Sequence, residues 1–145
     1  MTRFPYTQTV IKEVLRLYPA SSVQPRWTDH DLNLNEVNIP ANSLLVPVVF
    51  LIQRDPRIWE NPEAFKPERF STNGEATRVH PSAYFPFSAG SRACIGAGLA
   101  PYIIQKVISM ILARYKLAYS GEAPEIDFGF GIPPKSEVKV RISPR

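Results

Sequence analysis

The chain has a single cysteine, Cys94, and it lies in the stretch Phe87-Ser88-Ala89-Gly90-Ser91-Arg92-Ala93-Cys94-Ile95-Gly96. One cysteine excludes an internal disulfide and a cysteine-rich zinc site. Two readings remain: an inert, buried small hydrophobe, the common fate of an isolated cysteine, or a reactive sulfur. The neighbours favour the second. Apolar periodicity from Ile95 onward predicts a long helix that starts beside Cys94, and the positive end of a helix attracts an anionic sulfur. Arg92 adds a fixed positive charge two residues earlier. Gly90 and Gly96 remove side chains where the backbone would meet something flat and large, and Phe87 can cover the sulfur from one side. Such a set suits a soft, anionic sulfur ligand for a metal.

A second pair is Glu13 and Arg16, one turn apart on a helix predicted over Thr7 to Tyr18. On spacing alone this is a surface ion pair worth a few tenths of a kcal/mol, roughly 0.2–0.5. A third segment, Asp55 to Phe70, holds three prolines and follows no helical or strand period. A meander of that kind has no ladder for its backbone groups and has to be pinned by side chains; Arg69 lies near its end.

These residues carry a resemblance. Phe-x-x-Gly-x-Arg-x-Cys-x-Gly resembles the heme-ligand loop of the cytochrome P-450 family at every fixed position. Glu13-Val14-Leu15-Arg16, in the context Ile11 to Pro19, resembles the family's Glu-x-x-Arg helix. Pro67-Glu68-Arg69-Phe70, after Arg54-Asp55-Pro56 and Trp59, resembles its meander. The likeness runs from Phe4-Pro5-Tyr6 to Ile142-Ser143-Pro144-Arg145. Departures are Gln53, where the family often has His, Asn42, where it often has Gly, and Pro101 and Ile103, where acidic residues often stand.

The resemblance implies a mainly α fold with small β-sheets (α+β), residues 1–145 being the C-terminal part of a cytochrome P-450 domain whose N-terminal part is absent. It implies heme b as cofactor, Cys94 as the axial iron ligand, and Phe87, Gly90 and Gly96 around the cofactor. Arg92 and Arg26 would meet heme propionates through charge-assisted contacts. Glu13, Arg16 and Arg69 would form a buried network locking the meander to the helix. The loop Ala20 to Gln24 and the turn Phe130 to Pro133 would border the pocket for a lipophilic substrate.

The implied activity is insertion of one oxygen atom from O2 into an organic substrate, with electrons from NADPH through a separate reductase. No catalytic residue is assigned, because nothing here resembles the acid–alcohol helix that relays protons in the family. The implied setting is intracellular, at an endoplasmic reticulum membrane whose anchor is absent here. The look of the loop is fungal, which points to secondary metabolism. The alternative is a truncated, catalytically inactive relic or interaction partner that keeps the heme loop.

Several elements must position these residues. On the first helix Val10, Val14 and Leu17 form an apolar stripe with Ile11 and Leu15 beside it, and Pro19 ends it. Leu32, Leu34, Val37 and Ile39 predict two short strands around a turn. Ile39 to Asn42 predicts another turn, since Asn tolerates positive φ, and Ser43 to Val46 a strand. Ser71 to Pro81 reads as a polar loop. The long helix is expected over Ile95 to Tyr115, apolar over so much of its surface that it belongs inside a larger protein. Pro101 must fall in its first turn or kink it. Lys135 to Ile142 alternates as a half-buried strand.

The whole chain fits this loop-rich picture. Of 145 residues 15 are proline, about twice ordinary use, and they are dispersed as turn punctuation. The net charge of +4 comes from 17 basic and 13 acidic residues intermixed along the chain, with no clustered stripe of the sort nucleic acid requires. No continuous apolar run reaches the roughly 18 residues of a membrane span, no apolar core of a signal peptide follows the first residues, and there is no internal repeat.

Overall fold

The computed structural model describes residues 5–145; Met1 to Phe4, and so the first residue of the Phe4-Pro5-Tyr6 approach, lie outside the described residues. Helix α1 runs Pro5–Leu17. Proline suits its first position, where a backbone N–H would have no helical acceptor. The buried face differs from the apolar stripe read from the sequence. Ile11 and Leu17 are buried, Val14 is exposed, and Glu13 and Arg16 are fully buried. A stripe of hydrophobes predicts burial only if its partner is apolar. Here the partner is the meander, whose free backbone groups call for charge.

After Pro19 come β1 (Arg26–Trp27), β2 (Leu32–Leu34), β3 (Val37–Ile39) and β4 (Leu44–Leu45). β2 and β3 form an antiparallel hairpin that pairs Leu32 with Ile39, and Asn35 takes a positive φ of 57° in its turn. β1 pairs with β4, Arg26 opposite Leu45, and Asn42 turns with φ 61° as the sequence suggested. The apolar run that follows is not all strand: Val49–Ile52 forms a short helix, α2, with Val49 buried. The meander proceeds through turns to a 3-10 turn at Pro67–Phe70, which packs on α1. Further 3-10 turns occur at Glu75–Thr77, Pro81–Ala83 and Gly90–Arg92.

The long helix α3 runs Leu99–Arg114, so it begins four residues later than expected. Ile95 to Gly98 form turns, in which Ala97 N–H bonds Cys94 O at 3.1 Å and Leu99 N–H bonds Gly96 O at 3.1 Å. Pro101 is thus the third residue of the helix, within the first turn, where its missing N–H is no loss. No residue of α3 is buried, and Leu99, Tyr102 and Met110 are about 60% exposed. Among the described residues α1 covers one side of it, with Gln8 Nε2 reaching Gln105 Oε1 at 3.5 Å.

The tail also differs. Its strand, β6, is Arg141–Pro144, and it pairs antiparallel with β5 (Tyr115–Ala118), Leu117 opposite Ile142. Both strands are exposed on both faces rather than half-buried. Alternation marks a strand, but β5 has four residues, and the register joins them to 141–144 and leaves Lys135 to Val140 outside the ladder.

The interior is small and unusually polar. Ile11, Leu17, Val49, Trp59, Ala83 and Ile132 are its buried hydrophobes, and Glu13, Arg16, Ser22, Thr28, Gln53 and Arg69 are buried with them. Hydrogen bonding therefore fixes this core as much as apolar packing does.

Candidate functional site

Cys94 is a free, exposed cysteine on the loop between the 3-10 turn at Gly90–Arg92 and α3. Its backbone N–H donates to Phe87 O at 2.8 Å, and its Sγ accepts the Gly96 N–H at 3.3 Å. The loop is shaped by two positive-φ residues, Ser88 at 65° and Gly90 at 67°. Gly90 supplies one of these, and nothing lies within 4 Å of where its Cβ would be. A Cβ at Gly96 would sit 3.6 Å from Cys94 Sγ, an ordinary contact. α3 starts five residues after Cys94, too far for the field of its end to act on the sulfur, because such fields fade within a turn.

Arg26 reaches this loop from β1. Its Nη2 donates to Ser88 Oγ at 2.7 Å and its Nη1 to Pro25 O at 2.9 Å. Arg92 is exposed two residues before the cysteine. Phe87 lines a cavity of about 440 Å³ between α1 and α3, together with Ile11, Leu15, Tyr84, Pro101 and Tyr102. A larger cavity of about 780 Å³ is lined by Tyr18, Phe50, Arg54 and Ile126 and by no residue of the cysteine loop, so its size gives it no part in the sulfur chemistry. Among the described residues no group of three or more His, Cys, Asp or Glu could hold a metal ion, which leaves Cys94 as a single sulfur donor.

Glu13, Arg16 and Arg69 come together as one buried cluster. Arg16 Nε and Nη2 donate to the two Glu13 carboxylate oxygens at 2.8 and 2.9 Å. Arg69 Nε donates to Glu13 Oε1 at 3.3 Å, and the Lys66 backbone N–H donates to the same oxygen at 2.9 Å. The remaining guanidinium protons serve the meander. Arg16 Nη1 bonds Gln53 O at 2.8 Å, Arg16 Nη2 bonds Ala64 O at 3.3 Å, and Arg69 Nη2 bonds Asn61 O at 2.7 Å. Arg69 Nη1 also pairs with Glu75. Beside the cluster, burial pushes the Tyr84 hydroxyl well above its ordinary range, and the Glu13 charge adds to this; the hydroxyl donates to Lys12 O at 3.2 Å.

The two loops expected at a substrate pocket also meet. Ser22 N–H donates to Phe130 O at 2.8 Å, and Ser22 Oγ donates to the same carbonyl at 3.1 Å.

Three residues have structural roles that the sequence reading does not give. Gln53 is fully buried, with Nε2 donating to Leu15 O and Arg16 O and Oε1 accepting the Phe85 N–H. Gln24 donates to Phe85 O at 3.3 Å. Arg54 donates to the carbonyl of Leu17 and stacks 3.9 Å over the Phe50 ring. The one available signal was Pro19. It cannot donate a helical N–H, so α1 ends with free carbonyls that something must satisfy.

The family model for cytochrome P450 matches residues 1–139. The chain belongs to the cytochrome P450 family. Similar relatives include Cytochrome P450 4d2 of Drosophila melanogaster, 34% identical over 97% of this chain and 28% of its own length. Cytochrome P450 3A30 of Fundulus heteroclitus is 34% identical over 97% of this chain and 29% of its own length. The solved structure of a retinoic acid bound cyanobacterial CYP120A1 superposes on 97% of the chain and 33% of its own length, with TM-score 0.90 and 27% identity. The chain therefore spans less than a third of the length of these P450 relatives, and its α+β architecture is that of the corresponding P450 segment. No helix among the described residues is long and apolar enough to cross a membrane.

Proposed function

We propose that residues 1–145 form the C-terminal part of a P450 domain and that Cys94 is its axial ligand to heme b iron. The observation that carries this reading is the exposed Sγ, which accepts the Gly96 N–H on a loop held by Phe87, Ser88 and Gly90. The residues fit the group: an accessible soft donor, space beside Gly90 and Gly98, and no competing cluster of ligands among the described residues. Phe87, Gly90 and Gly96 border the cofactor in this reading. Arg92 and Arg26 lie on or against the loop with guanidinium groups able to meet propionates, and the Arg26 bond to Ser88 places it there. Glu13, Arg16 and Arg69 hold the meander to α1 and touch no substrate. When bound, a heme with a thiolate ligand supplies the O–O cleaving chemistry of a monooxygenase.

The reaction assigned on this basis is transfer of one oxygen atom from O2 to a lipophilic substrate, with electrons from NADPH through a separate reductase. The chain's own part is to present the sulfur and border the substrate side with Ala20 to Gln24 and Phe130 to Pro133. The endoplasmic reticulum is the setting that family membership favours; fungal secondary metabolism rests on the look of the loop alone. The test is heme loading of the purified chain followed by a carbon monoxide difference spectrum, with Cys94→Ser alongside. A thiolate-type band in the wild type, absent from the variant, is expected. A thiolate-type band that survives in Cys94→Ser overturns the assignment, since the sequence has no second cysteine.

A further inference from the structure

Gln53 uses its whole side-chain amide. Both Nε2 protons go to carbonyls, Leu15 O at 3.0 Å and Arg16 O at 3.1 Å, and Oε1 accepts the Phe85 N–H at 3.0 Å. These partners fix the orientation of the amide, because a flipped group would set oxygen against two carbonyls and N–H against N–H. The Leu15 carbonyl needs such a donor: its helical partner would be the N–H of residue 19, and Pro19 has none. One buried side chain thus spans from the end of α1 to Phe85. Two residues further on, Phe87 O accepts the Cys94 N–H at 2.8 Å. The Phe85 carbonyl is held as well, by Gln24 Nε2 at 3.3 Å and by the Ser88 N–H at 3.0 Å.

We propose that Gln53 is a positioning residue for Cys94: it fixes the entry to the ligand loop at Phe85, and through Phe87 it sets where the sulfur stands. This rests on the reading of Cys94 as the iron ligand. The position demands a donor and an acceptor at once. Leucine offers neither, and ionised glutamate offers only acceptors. A neutral histidine donates from one ring nitrogen and accepts at the other, whereas a protonated one loses its acceptor. The charges nearest position 53 are Arg16, which donates to its carbonyl at 2.8 Å, and the adjacent Arg54; Glu13 and Arg69 lie behind Arg16. Two nearby guanidinium groups disfavour a third positive charge, so a histidine here changes state at or below its ordinary pKa of about 6.5.

The experiment compares the wild-type 145-residue chain, supplied with heme during expression, with Gln53→Leu, Gln53→Glu, Gln53→His and Cys94→Ser. The first readout is the thiolate-type fraction of the carbon monoxide difference spectrum at equal heme content. A several-fold loss is expected in the Leu and Glu variants. The His variant should match wild type at about pH 8 and lose the band as pH falls through about 6, while wild type stays level over that range. The second readout needs no heme: hydrogen exchange at the Phe85 amide, expected to be about tenfold faster or more in the Leu variant and restored in the His variant at about pH 8. Should the Leu variant fail to fold, the pH series of the His variant carries the test, since it compares one folded protein with itself.

A Leu variant with wild-type spectrum and wild-type Phe85 exchange overturns the proposal. So does a His variant that shows no pH response, or variants that change only the melting temperature. If the wild type itself forms no thiolate-type band, the ligand reading fails instead, and Phe85 exchange alone then decides the coupling to Gln53.

Discussion

Arg16→Ala is expected to destabilise the fold by about 3–5 kcal/mol, the cost of leaving one partner of a buried ion pair uncompensated. The arginine has no exposed surface and donates to Glu13 twice, to Gln53 O and to Ala64 O. Without it Glu13 keeps the Lys66 N–H at 2.9 Å and Arg69 Nε at 3.3 Å, both on Oε1, and Oε2 loses the Arg16 donor it now has. The carboxylate remains at zero exposure. The Gln53 carbonyl also loses a donor, and the Trp59 ring loses the guanidinium 5.4 Å from its centroid. Denaturant unfolding followed by Trp59 fluorescence measures the effect, because Trp59 is buried against Arg16 while Trp27 is 71% exposed. The control is Arg57→Ala in the same meander. Its guanidinium is 87% exposed and pairs with Asp55 at the surface, so the loss should be a small fraction of that in Arg16→Ala. Adding Glu13→Gln to Arg16→Ala removes the stranded charge and should recover part of the loss. Equal, small effects for Arg16→Ala and Arg57→Ala, with no recovery in the double variant, would refute the claim that the cluster is a buried pin.

Gly74→Ala should cost roughly 1–3 kcal/mol, because its Cβ would fall 2.2 Å from Arg69 O, whereas Gly98→Ala, with open space around it, should unfold at the wild-type midpoint. Asp55 is held down from 3.8 to about 2 by its hydrogen bonds to Arg57. Its folded pKa lies below the unfolded one, so its contribution is complete above about pH 4 and fades as pH falls through about 2. Asp55→Asn should remove that part of the acid dependence in a pH series of unfolding midpoints, and an unchanged acid limb would count against the pair. The 145 residues alone, mixed with NADPH and a P450 reductase, should give no sustained product formation, since α3 stands with its apolar side chains exposed; turnover that disappears in Cys94→Ser would overturn this.

Motifs with fixed spacing were legible in the sequence, and elements defined by what covers them were less so. The hairpin of Leu32, Leu34, Val37 and Ile39 and the turns at Asn35 and Asn42 are local events, set by alternation and by tolerance of positive φ, and they appear where the pattern puts them. Glu13 and Arg16 show the limit of local reasoning. Helical spacing identifies the pair but cannot say whether water or the meander surrounds it; the resemblance, not the spacing, pointed to burial. The short helix at Val49–Ile52 hides in an apolar run, which carries no period of its own. Gln53 was noticed only as a departure from the family. Its task depends on carbonyls of Leu15 and Arg16, 37 or 38 residues away in sequence, and no pattern within the segment reports them.

The displaced start of α3 changes the account of the sulfur more than it changes the fold. With the helix beginning at Leu99, the charge-like end of α3 is separated from Cys94 by the turns of Ile95 to Gly98. What remains beside the sulfur is the Gly96 N–H at 3.3 Å, together with the placement of Cys94 itself. That placement is inherited in steps: from Phe87 O to Phe85, from Phe85 to Gln24 and Gln53, and from Gln53 to Arg16 and Glu13. A cysteine loop with exposed residues and two positive-φ positions has little packing of its own to define it. It gains definition from a polar interior in which nearly every buried side-chain donor and acceptor among the described residues has a partner, Trp59 Nε1 being the exception. In this protein the buried charge cluster and the exposed cysteine are therefore two ends of one path, made of hydrogen bonds and the chain segment Phe85 to Phe87, and a change at either end should be readable at the other.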